Sequence, residues 1–194
     1  KIDTEYLSKT MEELSTKIKE KEAKLREDSV FHTWRRVYGH KTNLDSHEQL
    51  GKVLFDVLKY TCLARTATGK PQTDEAVLSK VDHPFAKDYL YIQKLKKANG
   101  TFLKGIKDEL VNGFVHPVFN LHIVTTYRSS CDSPNMHNYP KRNPEMYELT
   151  RRAFIPKEKG RILGEVDFAG IEVRVACCYT KDPQLIKEFT GPDG

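Results

Sequence analysis

The sequence predicts an α+β chain, with long helices through about residue 112 and a small amount of antiparallel sheet after it. Two changes of pattern carry this. In the first half, apolar residues recur at three- and four-residue spacings among Lys and Glu, the mark of amphipathic helices. From Phe114 to Thr126 the period falls to two: Val115, Pro117, Phe119, Leu121 and Ile123 alternate with His116, Val118, Asn120 and His122. A third observation fixes attention on the end of the chain. An apolar run beginning at Arg161-Ile162-Leu163 reads as a strand, and Asp167 falls where it ends. A carboxylate at the exit of a buried strand is held rigidly and suits a divalent metal. By spacing alone, an aspartate at such a place is more often a turn residue or a helix cap than a metal ligand.

The first helix is expected over residues 3 to 28, with Leu7, Met11, Leu14, Ile18 and Leu25 as its apolar stripe and Asp3 or Thr4 as its cap. Such a stripe serves an oligomeric coiled coil or packing within its own domain, and the short heptad favours the second. Residues 29 to 42 hold the only tryptophan, Trp34, with Arg35, Arg36, His40 and Lys41, and read as a loop or short helix. Ser46 and Gln49 have the spacing of a capping box ahead of Leu50, Val53, Leu54, Val57 and Leu58. The stretch from Arg65 to Thr73 is polar, free of acids and punctuated by Gly69 and Pro71, so it reads as an exposed loop. Its hydroxyls beside two cations suit a phosphate backbone. Thr73 is expected to cap a short helix through Val77, Leu78 and Val81.

His83-Pro84 starts a helix that runs to about Asn112, with Gly113 at its end. Lys94, Lys97, Lys104 and Lys107 are expected on roughly one face as a basic stripe. His116 and His122, on one face of a strand but about 20 Å apart, are too distant to share a metal. The segment from Thr125 to Arg142 is dense in Thr, Arg, Ser, Asn and His within a Pro-bounded loop, as befits a surface that meets sugar-phosphate and base edges. After Asp167, the pattern fits either a strand or a helical face. Asp182-Pro183 opens a last short helix, Gln184 to Phe189.

Composition sets the outer bounds. The chain has 194 residues, 38% hydrophobic and 30% charged, with net charge +5 and a pI near 8.9. The mild excess of cations is compatible with a polyanionic partner. Cys62, Cys131, Cys177 and Cys178 form no CxxC pair, which points to free thiols in a reducing compartment and away from a zinc site. No apolar run approaches the roughly 20 residues that span a bilayer, and no signal peptide is visible. The abrupt helical start and the ending Gly191-Pro192-Asp193-Gly194 suggest a fragment.

Three collinear segments resemble the family A DNA polymerases. Thr126 to Pro140 is similar to the signature Thr-Gly-Arg-Leu-Ser-Ser…Pro-Asn-Leu-Gln-Asn-Ile-Pro, with Arg128, Ser130, Pro134, Asn135, Asn138 and Pro140 matching. Asp167 to Arg174 resembles motif A, Asp-Tyr-Ser-Gln-Ile-Glu-Leu-Arg, with Asp167, Ile171, Glu172 and Arg174 identical and Phe168 keeping the ring. Asn43, Ser46, Gln49, Leu50, Leu54 and Phe55 follow a thumb pattern that continues through Thr66, Thr68, Gly69, Thr73 and His83-Pro84.

The resemblance implies a helical thumb and a partial palm, truncated before the fingers. Its parts would be residues 1–42 as an N-terminal helix and connector, 43–112 as thumb, and 113–194 as palm. It implies that Asp167 ligates two Mg2+ ions, joined by the Phe168 carbonyl. Phe168, Ala169, Gly170, Ile171 and Glu172 would form the nucleotide site, with Glu172 under the incoming sugar, and 173–179 would be helical. Arg128, Asn135, His137 and Asn138 would contact template-primer DNA, and Thr66, Thr68 and Lys97 would track phosphates from the thumb. The departures are Tyr127 for Gly, His137 for Gln and Ala169-Gly170 for Ser-Gln, as in a divergent phage-like member. The fingers helix and the motif C carboxylates have no counterpart in these residues.

The expectation is therefore part of a DNA-directed DNA polymerase that adds dNTPs to a primer 3′-hydroxyl, inactive alone. It would be cytoplasmic, in a bacterium or phage-infected cell, without a membrane partner, and completed by further polymerase domains or a processivity factor. A non-catalytic, polymerase-derived nucleic-acid-binding module is the alternative. An unrelated basic helical interaction protein is a third reading.

Overall fold

The computed structural model describes residues 1–126 and 128–190, so Tyr127 and the terminal Gly191 to Gly194 lie outside the described residues. The chain forms two compact units, Lys1–Lys157 and Glu158–Gly194. The fold is α+β, with helices carrying most of it and, among the described residues, one two-stranded antiparallel sheet.

In the first unit, α1 (Thr4–Leu25) is capped by the Asp3 carboxylate, which accepts the Tyr6 N–H at 2.9 Å. Leu7 and Leu14 are buried and Met11 and Ile18 half-buried in a core shared with Leu95, Ala98, Leu103 and Ile106, so the stripe serves its own domain. The helix ends earlier than its pattern suggests. The Asp28 carboxylate accepts the Val30 N–H at 2.8 Å and starts a separate helix, α2 (Ser29–Tyr38), followed by a 3-10 turn at Gly39–Lys41. Residues 29 to 42 are thus mostly helical, because Val30, Phe31 and Trp34 give them a buried face.

Ser46 caps α3 (His47–Gly51), its hydroxyl accepting the Gln49 N–H at 3.3 Å. The capping box is only half formed. The Gln49 side chain turns instead to Trp34 and to the backbone of Asn43 and Lys41. A π turn, Lys52–Val57, extends α3 and buries Val53, Leu54 and Phe55. The next helix, α4 (Glu75–Leu78), is capped by Asp74 rather than Thr73. Thr73 is buried one residue ahead of that cap, and its hydroxyl is hydrogen-bonded to His47 Nδ1 at 2.9 Å.

The long helix starts as expected, with Pro84 in its first turn, but it has three parts: α5 (Pro84–Lys97), a π turn (Ala98–Leu103) and α6 (Lys104–Asp108). It stops short of Asn112, which has positive φ like Gly113 beside it. The π turn holds Gly100, and its wider winding slips the helical phase. The expected basic stripe therefore splits. Lys94 reaches back to Glu75 at 2.6 Å, whereas Lys107 lines a groove with Ser8, Met11, Glu12, Ser15, Thr16 and Lys19 of α1.

The sheet is smaller than the alternation in 114–126 suggests. Only β1 (Val118–Asn120) forms there, paired with β2 (Ser130–Asp132) so that Phe119 faces Cys131. A strand persists only where a partner satisfies its backbone, and β2 is three residues long. His116 and His122 lie outside both strands. The chain start closes the unit: Ile2 donates to the Gly113 carbonyl and Asp3 to the Ala153 carbonyl, both at 2.9 Å. The last helix here is α7 (Pro144–Arg151), capped by Asn143.

In the second unit the expected strand leading to Asp167 is not formed. Among the described residues no segment pairs with 161–167, and an unpaired extended run is not a strand. Pattern left 171–179 open between strand and helix; it is α8 (Ile171–Thr180), followed by α9 (Pro183–Thr190).

Candidate nucleic-acid interface

The polar loop after β2 is built on buried anchors. Cys131, Pro134 and Tyr139 point inward, while Asn135, His137 and Asn138 between them are exposed. The Cys131 thiol donates to the Pro134 carbonyl at 3.5 Å and accepts the Met136 N–H at 3.4 Å. The Asn135 side chain accepts the His137 N–H at 3.1 Å and starts a 3-10 turn, Met136–Asn138. At the loop's end the Tyr139 hydroxyl donates to the Phe102 carbonyl, and its ring packs between those of Phe102 and Phe154. Burial, with a smaller contribution from the nearby Cys131, pushes the Tyr139 pKa up to about 12, so the phenol remains a neutral donor. One short turn thus holds three amide or imidazole side chains at the surface in fixed order.

Two neighbours extend this edge. His137 packs its ring on Phe119 of β1, centroids 5.7 Å apart. Lys97 sits over the Phe102 ring at 5.8 Å, and Phe102 touches Tyr139, so the α5 cation lies beside the base of the loop. Arg128 is exposed, just ahead of β2.

Thr66 and Thr68 belong to a different place, the tip of a tight hairpin. Arg65 bridges Pro71, and the two hydroxyls are hydrogen-bonded at 2.9 Å. The Thr66 N–H donates to the Lys70 carbonyl at 2.8 Å, and Gly69 takes the positive φ of 79° that the turn requires. Lys70 reaches Glu48 of α3 at 2.8 Å. This hairpin leans on the core that holds Trp34, Leu50 and Phe85, whereas the 128–142 loop stands on the core of Leu7, Leu103 and Tyr139.

In the second unit, Asp167 and Phe168 are exposed, Phe168 by 72%. Ala169 and Gly170 form a turn, with Gly170 at φ 60°. Ile171 and Glu172 open α8. Arg174 fixes this turn: its guanidinium donates to the Ala169 carbonyl at 3.0 Å and the Phe189 carbonyl at 3.1 Å, and lies 4.9 Å over the Phe189 ring. Arg174 had no role in the sequence reading beyond its match to motif A. A lone cation four residues after a glycine, in an apolar run, was the available signal. The donor types offered, the Asp167 carboxylate and the Phe168 carbonyl, are hard oxygens that fit magnesium. Their number is small: among the described residues no three His, Cys, Asp or Glu side chains gather as a metal site.

Residues 5–193 match the sequence model of DNA polymerase family A. The chain belongs to this family. It is 36% identical to the thermostable DNA polymerase I of Thermus aquaticus over 97% of this chain and 22% of that protein. It is 33% identical to DNA polymerase I of Geobacillus stearothermophilus, over 97% of this chain and 21% of the relative. The whole chain also superposes, with TM-score 0.77 and 28% identity, on 33% of the POL domain of Pol1 from M. smegmatis, solved in complex with DNA primer-template and dNTP. The chain spans about a fifth of the length of these curated relatives. Among the described residues no helix is long and apolar enough to cross a membrane.

Proposed function

We propose that this chain is the thumb and part of the palm of a DNA-directed DNA polymerase, which adds dNTPs to a primer 3′-hydroxyl under template direction and releases pyrophosphate. The observation that carries the reading is the edge formed by Asn135, His137 and Asn138, exposed in one turn over buried Cys131, Pro134 and Tyr139. Amide side chains both donate and accept, and the minor groove offers acceptors at every base pair. In this reading Arg128 and that turn hold the template-primer duplex. Thr66, Thr68 and Lys97 contact its phosphates. The parts are 1–42 as connector, 43–112 as thumb and 113–194 as palm, with other domains of the polymerase or a processivity factor as partners and the cytoplasm as the place of action.

Asp167 and the Phe168 carbonyl would hold magnesium in the whole polymerase, with Phe168, Ala169, Gly170, Ile171 and Glu172 bordering the nucleotide. Two such ions supply charge stabilisation for in-line phosphoryl transfer. Arg174, by clamping the 169–170 turn to α9, sets the direction in which Asp167 leaves the turn. Glu172, in the first turn of α8, is placed to lie under the sugar and exclude a 2′-hydroxyl.

A second reading is a non-catalytic, polymerase-derived duplex-binding module. Two measurements separate them. Fluorescence anisotropy with a labelled primer-template tests duplex binding, expected to weaken steeply with salt. Primer extension by the polymerase that carries these residues, with and without Asp167→Asn, tests the chemistry. Binding without any effect of Asp167→Asn on extension establishes the second reading, and absence of duplex binding removes both.

A further inference from the structure

We infer that the end of α2 and the turn after it, carrying Arg35, Arg36, His40 and Lys41, form a second phosphate-backbone contact that continues the track of the 65–71 hairpin. The inference rests on the reading of this chain as a duplex binder, and adds a contact outside the residues assigned above. All four side chains are exposed, and among the described residues none is ion-paired with a carboxylate. Several other cations of the unit are committed, Lys17 to Glu145, Lys70 to Glu48, Lys94 to Glu75, and Lys96 to Glu22 and Asp45. A helix C-terminus attracts cations in its last turn, which accounts for Arg35 and Arg36 alone. His40 and Lys41 lie beyond the helix, in the 3-10 turn, outside the reach of that effect.

The turn is also held more firmly than a solvated connector requires. Gly39 closes α2 with φ 57°, and the Thr42 hydroxyl donates back to its carbonyl at 2.7 Å. The Gln49 amide donates to the Lys41 carbonyl at 3.0 Å, while its oxygen accepts the N–H groups of Trp34 and Asn43. The neighbouring residue, Glu48, carries Lys70 of the hairpin. Two adjacent residues of the short helix α3 therefore fasten both basic elements, one each. A duplex carries one charge per about 1.7 Å of axis, so a backbone lying on the hairpin brings further phosphates within reach of Arg35, Arg36 and Lys41.

The test is the salt dependence of primer-template binding by the intact chain and by Arg35→Ala/Arg36→Ala/Lys41→Ala. Each phosphate contact contributes about 0.9 to the slope of log K against log salt. The triple variant is expected to lower the slope by about two to three units. A Lys9→Ala/Lys19→Ala variant, on α1, serves as the charge control and is expected to keep the slope. Circular dichroism and the emission of Trp34, buried on the opposite face of α2, confirm that the fold is kept. Equal slopes for the intact chain and the triple variant overturn the inference, as does an equal loss per cation in the control. Failure of the unaltered chain to bind duplex at all removes the proposed function first, and this contact with it.

Discussion

Gln49→Ala isolates the bond on which the α2 turn depends. Trp34 is fully buried, and its indole N–H donates to the Gln49 oxygen at 2.9 Å. The same oxygen accepts the Asn43 N–H at 3.0 Å, and the Gln49 amide donates to the Lys41 carbonyl. Truncation leaves the indole N–H buried without its partner, at a cost of about 1–3 kcal/mol, and the two exposed bonds add about 0.5 kcal/mol each. The sum is about 2–4 kcal/mol, or roughly 5–15 °C in Tm for a chain of this size. The assay is urea unfolding followed by tryptophan emission, which reports on this site alone because Trp34 is the only tryptophan. Trp34→Phe removes both the donor and the fluorophore, so all four proteins of this cycle are followed by far-UV circular dichroism; Gln49→Ala in that background is expected to cost about 1 kcal/mol less than in the native one. A loss below about 0.5 kcal/mol in the native background, or additive single effects, refutes the assignment of a buried, coupled bond.

Four further outcomes are expected. Arg128→Ala weakens primer-template affinity roughly tenfold or more by anisotropy, the scale of one lost groove contact; unchanged affinity removes Arg128 from the interface. Asp167→Asn in the whole polymerase lowers primer extension by about 10³-fold while duplex affinity holds, since a metal ligand contributes several kcal/mol to the transition state. Gly100→Ala stabilises the chain by about 0.5–1 kcal/mol, because a Cβ there meets open space. Gly51→Ala does not, because its Cβ lies 3.3 Å from Thr73 Cγ2 and 3.4 Å from Pro71 Cβ; equal melting shifts for the two would contradict the packing. Finally, the hydrogen bond from Lys96 holds the Asp45 carboxyl below its ordinary value, against a smaller opposing effect of burial. Its stabilisation is present above the usual carboxylate pKa of about 3.9 and is lost as pH falls through the lowered folded value. Lys96→Met therefore flattens the acid limb of a Tm–pH profile below about pH 4; at neutral pH the loss of the largely exposed Asp45 pair costs only about 1 kcal/mol, and Glu22, which also loses Lys96, keeps its pair with Arg26 at 2.9 Å.

What the sequence determined is what local chemistry controls. Asp3 and Ser46 cap their helices through side chains that reach an N–H three residues on, and Pro84 opens α5. The residue order of the 128–142 loop and of 167–174 was enough to identify the family. Tertiary structure decided whatever needs a partner distant in the chain. Asp74 rather than Thr73 caps α4, with the Thr73 hydroxyl on His47, and Gln49 left the capping box for Trp34. The alternating residues of 114–126 became a strand only opposite Ser130–Asp132, and those of 161–167 did not, because a strand is satisfied by its neighbour and not by its own pattern. The π turn at Ala98–Leu103 broke a basic stripe that assumed one continuous phase. The inward turn of Cys131, Pro134 and Tyr139, which leaves Asn135, His137 and Asn138 to solvent, was likewise invisible in a polar loop, since it depends on Phe102 and Phe154 arriving from elsewhere in the chain.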